Sequence, residues 1–518
     1  MARYKHYSYE QGQFISVQFS QQVLPNSFEY ALNYIVDNVM DLSIFEGRIK
    51  NDETGAPAYD PKVLMKIVFY AYARGIISSR DIEKACDENV LFMALSANTH
   101  PHFTTIADFI SSMSDGIERL FLDVLMYCDK LGLIGKEMFA IDGCKISSNA
   151  SKEWSGTKED FEKKKQKYAA AVWYLVKKHR EEDEKKERPP EREKESKAKD
   201  GLETKIRKIQ QWLDENADKQ GVSGKATKSH VFDNESAKMV SSHGVVQGYN
   251  GVAGVDSHHQ VIVEAKAFGL GSEQELLKPM LDGIEKNFEE MGTEDIYKEA
   301  KVAADSGFHS GDNMEMLKVK NIDAYVADNQ YRKRDPRFAS AQRHRKSIDR
   351  NHGKKRERKY FVPDDFTLEE GTGKLLCPAG KLLYVKNRNF KTPNGFFGTS
   401  YMAKVTDCRN CPLRLKCLQN PAGVARQVTK FEGRDVSAQP ASKTQWMKDK
   451  IDSVTGRFLY SMRMGIVEPV FGNIRSNLGL DRFTLRGQRK VDSQWKMYAM
   501  VHNIFKAYRY GWVPAESG

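Results

Sequence analysis

The sequence predicts an α/β protein: a mixed sheet with flanking helices, interrupted by insertions and preceded by an all-α N-terminal domain. Three observations carry that prediction. Apolar residues recur at helical spacing through residues 1–135, and short β-rich runs alternate with helical ones from Met138 to Ala327. Two stretches of different composition break the alternation, one densely charged and one basic and cysteine-rich. With 518 residues, 40% of them hydrophobic, the chain is long enough for about two to four domains with cores of their own.

In the N-terminal region, Asp60 then Pro61 makes an N-cap and first-turn pair. Val63, Leu64, Ile67, Val68 and Ala71 form the apolar stripe, and Gly75 ends the helix. A second helix is expected after Ser78 and Ser79. A third follows Thr104 and Thr105 and runs unbroken through Ile106, Phe109, Ile110, Met113, Ile117, Phe121 and Leu125. Short helices with tight turns suit a helix-turn-helix DNA binder and a plain helical bundle alike.

At Met138 to Ile146 the pattern becomes MFAIDGCKI, an apolar strand read as running out at Asp142. A carboxylate at a strand end can face a ligand without being buried unpaired. Taken alone, a turn-forming Asp before Gly is the plainer reading. Residues 151–229 then interrupt the sheet. Lys158 to Glu187 is a charged helical run with Phe161, Tyr168, Val172 and Leu175 as its sparse apolar side, Pro189 and Pro190 break it, and Leu202 to Trp212 resumes. The expectation is an antiparallel helical hairpin.

The sheet resumes with Val245 to Val255 and Val261 to Phe268, an antiparallel pair joined by a short turn. A helix around Glu273 to Met291 follows, then a buried strand, Val302 to Ala304, ended by Asp305. A helix from Ser310 to Lys318 and a strand from Ala324 to Ala327 come next. Ser306, His309 and Asp312 do not make a hydrolase triad, because they lie within seven residues and no nucleophile elbow surrounds them. After a long insertion the chain returns with a helix carrying Glu468. This order of strands and helices is that of a ribonuclease-H-like domain.

Glu468 sits among Val467, Val470 and Phe471, with Arg463 before it and Arg475 seven residues after it. That setting suggests a carboxylate held at a packed surface between positive groups; an ordinary surface glutamate on an amphipathic helix fits it too. Pro469 means that the helix either begins at Glu468 or kinks there.

Formal net charge is +11 with a pI near 9.0. Gln330 to Tyr360 alone holds 13 Lys/Arg against 3 acids, including Lys354, Lys355 and Arg356. A cluster of this kind attracts a phosphate backbone, since each neutralised phosphate releases counterions. Arg482, Arg486, Arg489 and Lys490 add a second basic face before an amphipathic helix, Gln494 to Tyr508. The N-terminus has no apolar signal-peptide core and no run is long enough to span a bilayer, so a cytoplasmic protein is expected, with no membrane partner.

Two constellations carry chemistry. Asp142, Asp305 and Glu468 are the hard oxygen donors that a pair of Mg2+ ions, or Mn2+ in their place, requires for phosphodiester chemistry. Cys377, Cys408, Cys411 and Cys417, a C-x2-C pair with two further cysteines, can close a tetrahedral thiolate site for structural Zn2+; four reduced cysteines are the alternative. Cys86, Cys128 and Cys144 read as packed thiols.

Several stretches resemble bacterial insertion-sequence transposases of the DDE type, in the group with a Y-R-E-K signature. They are AIDGCKISSNAS (Ala140 to Ser151), VVQGYNGVAGVD (Val245 to Asp256), ADSGFHS (Ala304 to Ser310) and VEPVFGNIRSNLGLDRFTLRG (Val467 to Gly487). Tyr59 to Cys86 resembles the N-terminal domain of the same transposases. The resemblance implies that Asp142, Asp305 and Glu468 bind the catalytic metals and that Tyr460 and Arg463 contact DNA phosphates near the cut. It departs in two places: Arg463 and Glu468 are five residues apart where the signature has four, and Arg475 stands for the closing lysine, with a different contact geometry.

The implied organisation is a helical domain over 1–135, suited to binding DNA ends, and a catalytic domain over 136–329 and 431–518. A helical hairpin at 151–229 and a basic, zinc-binding segment at 330–430 interrupt it. The implied activity is cleavage of element ends and strand transfer into target DNA, by a homodimer on double-stranded DNA associated with the nucleoid. A catalytically inactive DNA-binding regulator of transposase descent, or a metal-dependent nuclease without strand transfer, are the alternatives.

Overall fold

The computed structural model describes residues 17–48, 57–185, 191–220, 226–241, 244–338, 360–369, 371–392, 396–420, 422–434 and 443–511. Lys354, Lys355 and Arg356, with Pro189 and Pro190, lie outside them. The chain is mixed α/β and divides into two compact units, one of residues 1–329 and 453–518, the other of residues 330–452.

The first unit opens with helices α1 (Phe28–Asn38), α2 (Pro61–Ala73), α3 (Ser79–Glu88), α4 (Val90–Leu95), α5 (Phe103–Ser112) and α6 (Ile117–Lys130). Helix α2 starts as its sequence dictates: the Asp60 carboxylate accepts the Lys62 N–H at 2.7 Å, and Gly75, at φ +74°, turns the chain away. The long helix expected through Ile106 and Leu125 is instead two. A tight turn at Met113–Asp115 and Gly116 separate α5 from α6, and Gly116 passes so close to Ile44 that an added Cβ would meet its Cδ1 at 1.9 Å.

Six strands form the central sheet: β1 (Met138–Ser147), β2 (Ala237–Ser241), β3 (Gly244–Asp256), β4 (Ile262–Phe268), β5 (Lys301–Ala304) and β6 (Ala324–Val326). Their order is β6-β5-β1-β3-β2, with β4 also paired to β3. The β6–β5–β1 pairings are parallel and those of β3 antiparallel. Asp142 is not at the end of its strand, as the sequence suggested. β1 continues to Ser147 because β3 runs beside it, Asp142 opposite Ala253 and Ser147 opposite Gly248. What stops at Asp142 is the pairing with β5, whose last register is Ile141 with Ala304.

Between β1 and β2 stand α7 (Lys158–Glu184) and α8 (Arg192–Glu215), an antiparallel hairpin around Phe161, Ile209 and Trp212. Two short paired segments, Ser155–Gly156 and Ser229–His230, clip its base. Between β4 and β5, α9 (Leu277–Glu290) begins four residues later than expected, which leaves Glu273 in the preceding loop. Helix α10 (Gly311–Val319) separates β5 from β6 and is capped by the Ser310 hydroxyl.

The second unit holds an antiparallel sheet in chain order: β7 (Thr367–Leu368), β8 (Leu375–Leu376), β9 (Leu382–Lys391), β10 (Phe396–Met402) and β11 (Gln427–Arg434). Its small core is Phe366, Leu375, Leu383, Tyr401, Ala403 and Val428. Residues 431–452 lie within this unit, which ends in α11 (Gln445–Asp452). Arg334 donates to Asp452 at 2.5 Å, tying together the two ends of the unit.

The chain then returns to the first unit as α12 (Val454–Gly472), which continues through Pro469 and so does not begin at Glu468. Proline has no N–H to offer the carbonyl four residues back. That carbonyl, on Gly465, instead accepts the Gln260 side-chain amide at 2.9 Å.

The last helix, α13 (Gln488–Tyr510), is longer than expected because Gly487, at φ +84°, lets the chain turn in early. It is buried along most of its length and seals the edge of β4 with side chains one to two turns apart. The Gln488 side-chain oxygen accepts the Gly269 N–H at 2.8 Å, and Asp492 accepts that of Ala267 at 2.7 Å. Lys496 donates to Ala265 O at 2.6 Å, while Asn503 both accepts from Ile262 N and donates to Ile262 O, each at 2.8 Å. An edge that would otherwise offer free N–H and C=O groups is thus closed.

Candidate active site

β1 and β5 are hydrogen-bonded neighbours, so Asp142 and Asp305, each one residue past the last paired position, lie side by side. Helix α12 supplies the group between them. Arg463 donates through Nη1 to Asp142 Oδ2 at 2.5 Å and lies through Nη2 3.0 Å from Asp305 Oδ1. It is 7% exposed, and the two carboxylates outweigh the burial that would otherwise oppose its charge. The Tyr460 hydroxyl reaches Asp305 Oδ1 at 3.5 Å, and the guanidinium lies 5.7 Å from the Tyr460 ring centroid.

Burial pushes the Asp142 carboxyl up to about 6; Arg463 and the Gly143 N–H pull the other way, and Asp305 adds to the rise. Two carboxylates that already hold a cation between them are a fitting oxygen-donor set for a hard divalent ion.

Glu468 is on the same helix as Arg463 but exposed. Five residues on, it lies about 140° around the helix from Arg463. Arg475 follows in a single wide turn, Asn473–Asn477, and approaches Cys144 on β1. Together with Gly143, Lys145, Glu273 and Asp481, Arg475 and Cys144 line a cavity of about 410 Å³ along β1, which neither aspartate lines. The structure therefore brings together Asp142, Asp305, Tyr460 and Arg463. It places Tyr460 and Arg463 on the carboxylates, both buried, and leaves Glu468 outside that set of contacts. Arg482 and Arg486, read as part of a basic face, are exposed but donate to the backbone of Ser148 and Asn149, and Arg489 pairs with Asp115.

In the second unit, Cys377, Cys408, Cys411 and Cys417 line one small cavity of about 30 Å³. None is in a disulfide. Cys377 Sγ accepts the Lys381 N–H at 3.3 Å, the kind of bond that supports a thiolate ligand. Burial pushes the Cys417 thiol up, Arg426 opposes, and the other three cysteines add to the rise. The four thiols suit zinc in chemistry. Among the described residues, the potential ligands that lie within 4.8 Å of one another as a group of three are His179, Glu182 and Glu195 on the hairpin. There the Lys178 ammonium, 2.5 Å from Glu195, already supplies the positive charge.

A mixed α/β unit with paired aspartates at adjoining strand positions leaves the kind of protein open. Two family models say which kind: "Transposase DDE domain" matches residues 376–508 and "Transposase domain (DUF772)" matches residues 17–112. The two matches, over 133 and 96 of the 518 residues, support an insertion-sequence DDE transposase. The first match spans the four cysteines, Tyr460, Arg463, Glu468 and Arg475; Asp142 and Asp305 lie outside both. No curated protein and no solved structure matches the chain. No helix among the described residues is long and apolar enough to cross a membrane.

Proposed function

We propose that this transposase nicks the ends of its own element and joins them to target DNA at a site made by Asp142, Asp305 and Glu468. The observation that carries the reading is the convergence of Asp142 and Asp305 on one cation-holding point, facing the helix that also bears Glu468. A ribonuclease-H-like domain is supported by the sheet: three strands joined antiparallel, β4–β3–β1, then two parallel ones, β5 and β6, with acids just past β5 and beside it on β1.

Asp142, Asp305 and Glu468 would hold two Mg2+ ions, with Mn2+ as a substitute. When bound, such ions activate water or a 3′-hydroxyl and offset the charge of the phosphate under attack. The chain's own part is positional. Strand pairing fixes the aspartates relative to one another, and Tyr460 and Arg463 hold them in place. An arriving phosphate would offer Arg463 a third anionic partner beside Asp142 and Asp305, with fork geometry suited to it. Arg475, which lines the cavity, would take a neighbouring phosphate, and Lys354, Lys355 and Arg356 would add contacts to the DNA backbone. The four cysteines would hold a structural Zn2+ that stabilises the small sheet around them. Pairing of two element ends calls for a homodimer on double-stranded DNA, in the company of the nucleoid.

The test is cleavage of DNA bearing the element's ends in Mg2+, wild type against Glu468→Gln. The variant should bind the ends with unchanged affinity and cut at least about a hundredfold more slowly, while wild type nicks and transfers strands. Equal cutting by both would remove Glu468 from the site. Nicking without joining would leave a nuclease, and binding without any cutting would leave a regulator.

A further inference from the structure

Apolar packing holds the hairpin of α7 and α8 at one end only. Its hydrophobic cluster, Phe161, Ile209 and Trp212 with Tyr168 and Leu213 against it, sits towards the clipped base. His179 lies 18 residues beyond Phe161 on α7, roughly 27 Å further along the helix. There the two helices meet through polar groups.

His179 and Glu182, three residues apart on α7, share a face, and Glu195 reaches them from the start of α8. Each offers one ligand atom, and the three atoms lie within 4.8 Å of one another. His179 Nε2 is 3.2 Å from Glu195 Oε2. Atoms that bind a tetrahedral zinc at about 2.1 Å stand roughly 3.4 Å apart, so this pair is already at ligand spacing.

The carboxylates are short of positive charge. Lys178 Nζ takes Glu195 Oε1 at 2.5 Å and lies 3.7 Å from Glu182 Oε1, one ammonium against two acids. The Arg192 guanidinium is engaged by Asp183 at 2.6 Å. Glu182 is 9% exposed, and its Oε2 is buried with no hydrogen-bond partner among the described residues. A carboxylate oxygen buried without a donor is costly unless a cation serves it. Helix polarity deepens the deficit. Glu181, Glu182, Asp183 and Glu184 close α7 with no basic residue in its last turn, the end at which the peptide dipoles favour a cation.

We propose that His179, Glu182 and Glu195 bind one Zn2+ through an imidazole nitrogen and two carboxylate oxygens, with water completing the shell, and that this ion staples the far end of the hairpin. Zinc follows from the donors, since a mixed nitrogen and oxygen set suits it and Mg2+ prefers oxygen alone. Lys178 keeps the Oε1 atoms while the ion takes Oε2, so neither displaces the other. With three ligands and no thiolate, this site holds zinc less tightly than four cysteines would, and the ion is lost on purification and regained from added Zn2+. The site shares no residue with the aspartates or the cysteines and is independent of both.

The experiment is hydrogen–deuterium exchange of the full-length protein, read by mass spectrometry with and without Zn2+ in molar excess over the four thiols. In wild type, Zn2+ at ten times its Kd should slow exchange of the amides of 176–184 and 192–199 about tenfold. His179→Gln and Glu182→Gln should abolish the slowing, while the amides around Phe161 exchange as in wild type and report a folded hairpin. Glu195→Gln, on the other helix, should abolish it too, and stands in should either change on α7 loosen the fold. Lys178→Met should keep it. Zinc without effect on these segments in wild type, or with the same effect in His179→Gln, would overturn the proposal. So would loss of the effect in Lys178→Met, which would reduce the cluster to an ion-pair staple.

Discussion

Arg463 shows what one side chain can decide. Its spacing from Glu468 marks it as basic and nearby, and nothing in the sequence says that it faces Asp142 and Asp305, because that depends on how α12 is rotated against strands more than 150 residues away. The aspartates were legible for a local reason: each follows a run of apolar strand residues, Phe139 to Ile141 and Val302 to Ala304. Asp142's exact place was not, since a strand's end depends on how long its neighbour runs.

His502 carries the clearest pH dependence. Burial pushes it down to about 3, with Lys506 and Arg509 pushing the same way and its bond to the Gln260 carbonyl opposing. It stays neutral, accepting from the Asn473 amide and donating to Gln260 O. The unfolded chain takes up this proton below about 6.5 and the folded one does not. The His502 contribution is therefore fully present above about 6.5 and lost as pH falls from there towards 3. Urea midpoints measured from pH 7.5 to 4.5 should fall, and His502→Gln, which can make both bonds without titrating, should flatten the slope. Parallel slopes would assign the acid sensitivity elsewhere.

Among the elements, α13 was recognised as amphipathic, and its more telling feature was present but unread: Gln488, Asp492, Lys496 and Asn503 form a polar stripe on a helix otherwise buried in the core. A buried polar stripe of that spacing has to meet backbone groups, and a strand edge is what supplies them. Asn503→Leu keeps the volume and strands the Ile262 N–H and C=O. The expected cost is about 2–4 kcal/mol of unfolding free energy, read by urea denaturation; a change under about 0.5 kcal/mol would mean that water serves the edge equally well. The broken helix at Gly116 was hidden for the opposite reason, as its apolar spacing carries on across the break while the obstacle, Ile44, lies far back in the chain.

For the molecule as a whole, composition marked the basic and cysteine-rich stretch as a thing apart, since its handful of apolar residues builds only a small core. A unit so small calls for a staple, and in the function proposed above zinc is that staple. The purified protein should carry about one zinc per chain. A zinc-selective chelator, or Cys411→Ser, should lower the melting of residues 330–452 and leave the transition of the other unit in place. Protein free of zinc, with both transitions indifferent to the chelator, would mean that four reduced thiols simply pack together.

The edge of β4 waits for a partner about 220 residues further along the chain. At synthesis rates of about 5–20 residues per second, α13 leaves the ribosome roughly 10–45 s after the strand it seals. Through that interval the strand is a sticky template, open to any other extended segment, and the protein's own nascent copies on a shared message are the nearest candidates. Yield in the cell should thus depend on holdase chaperones and on translation speed between β4 and α13, far more than the finished fold would suggest.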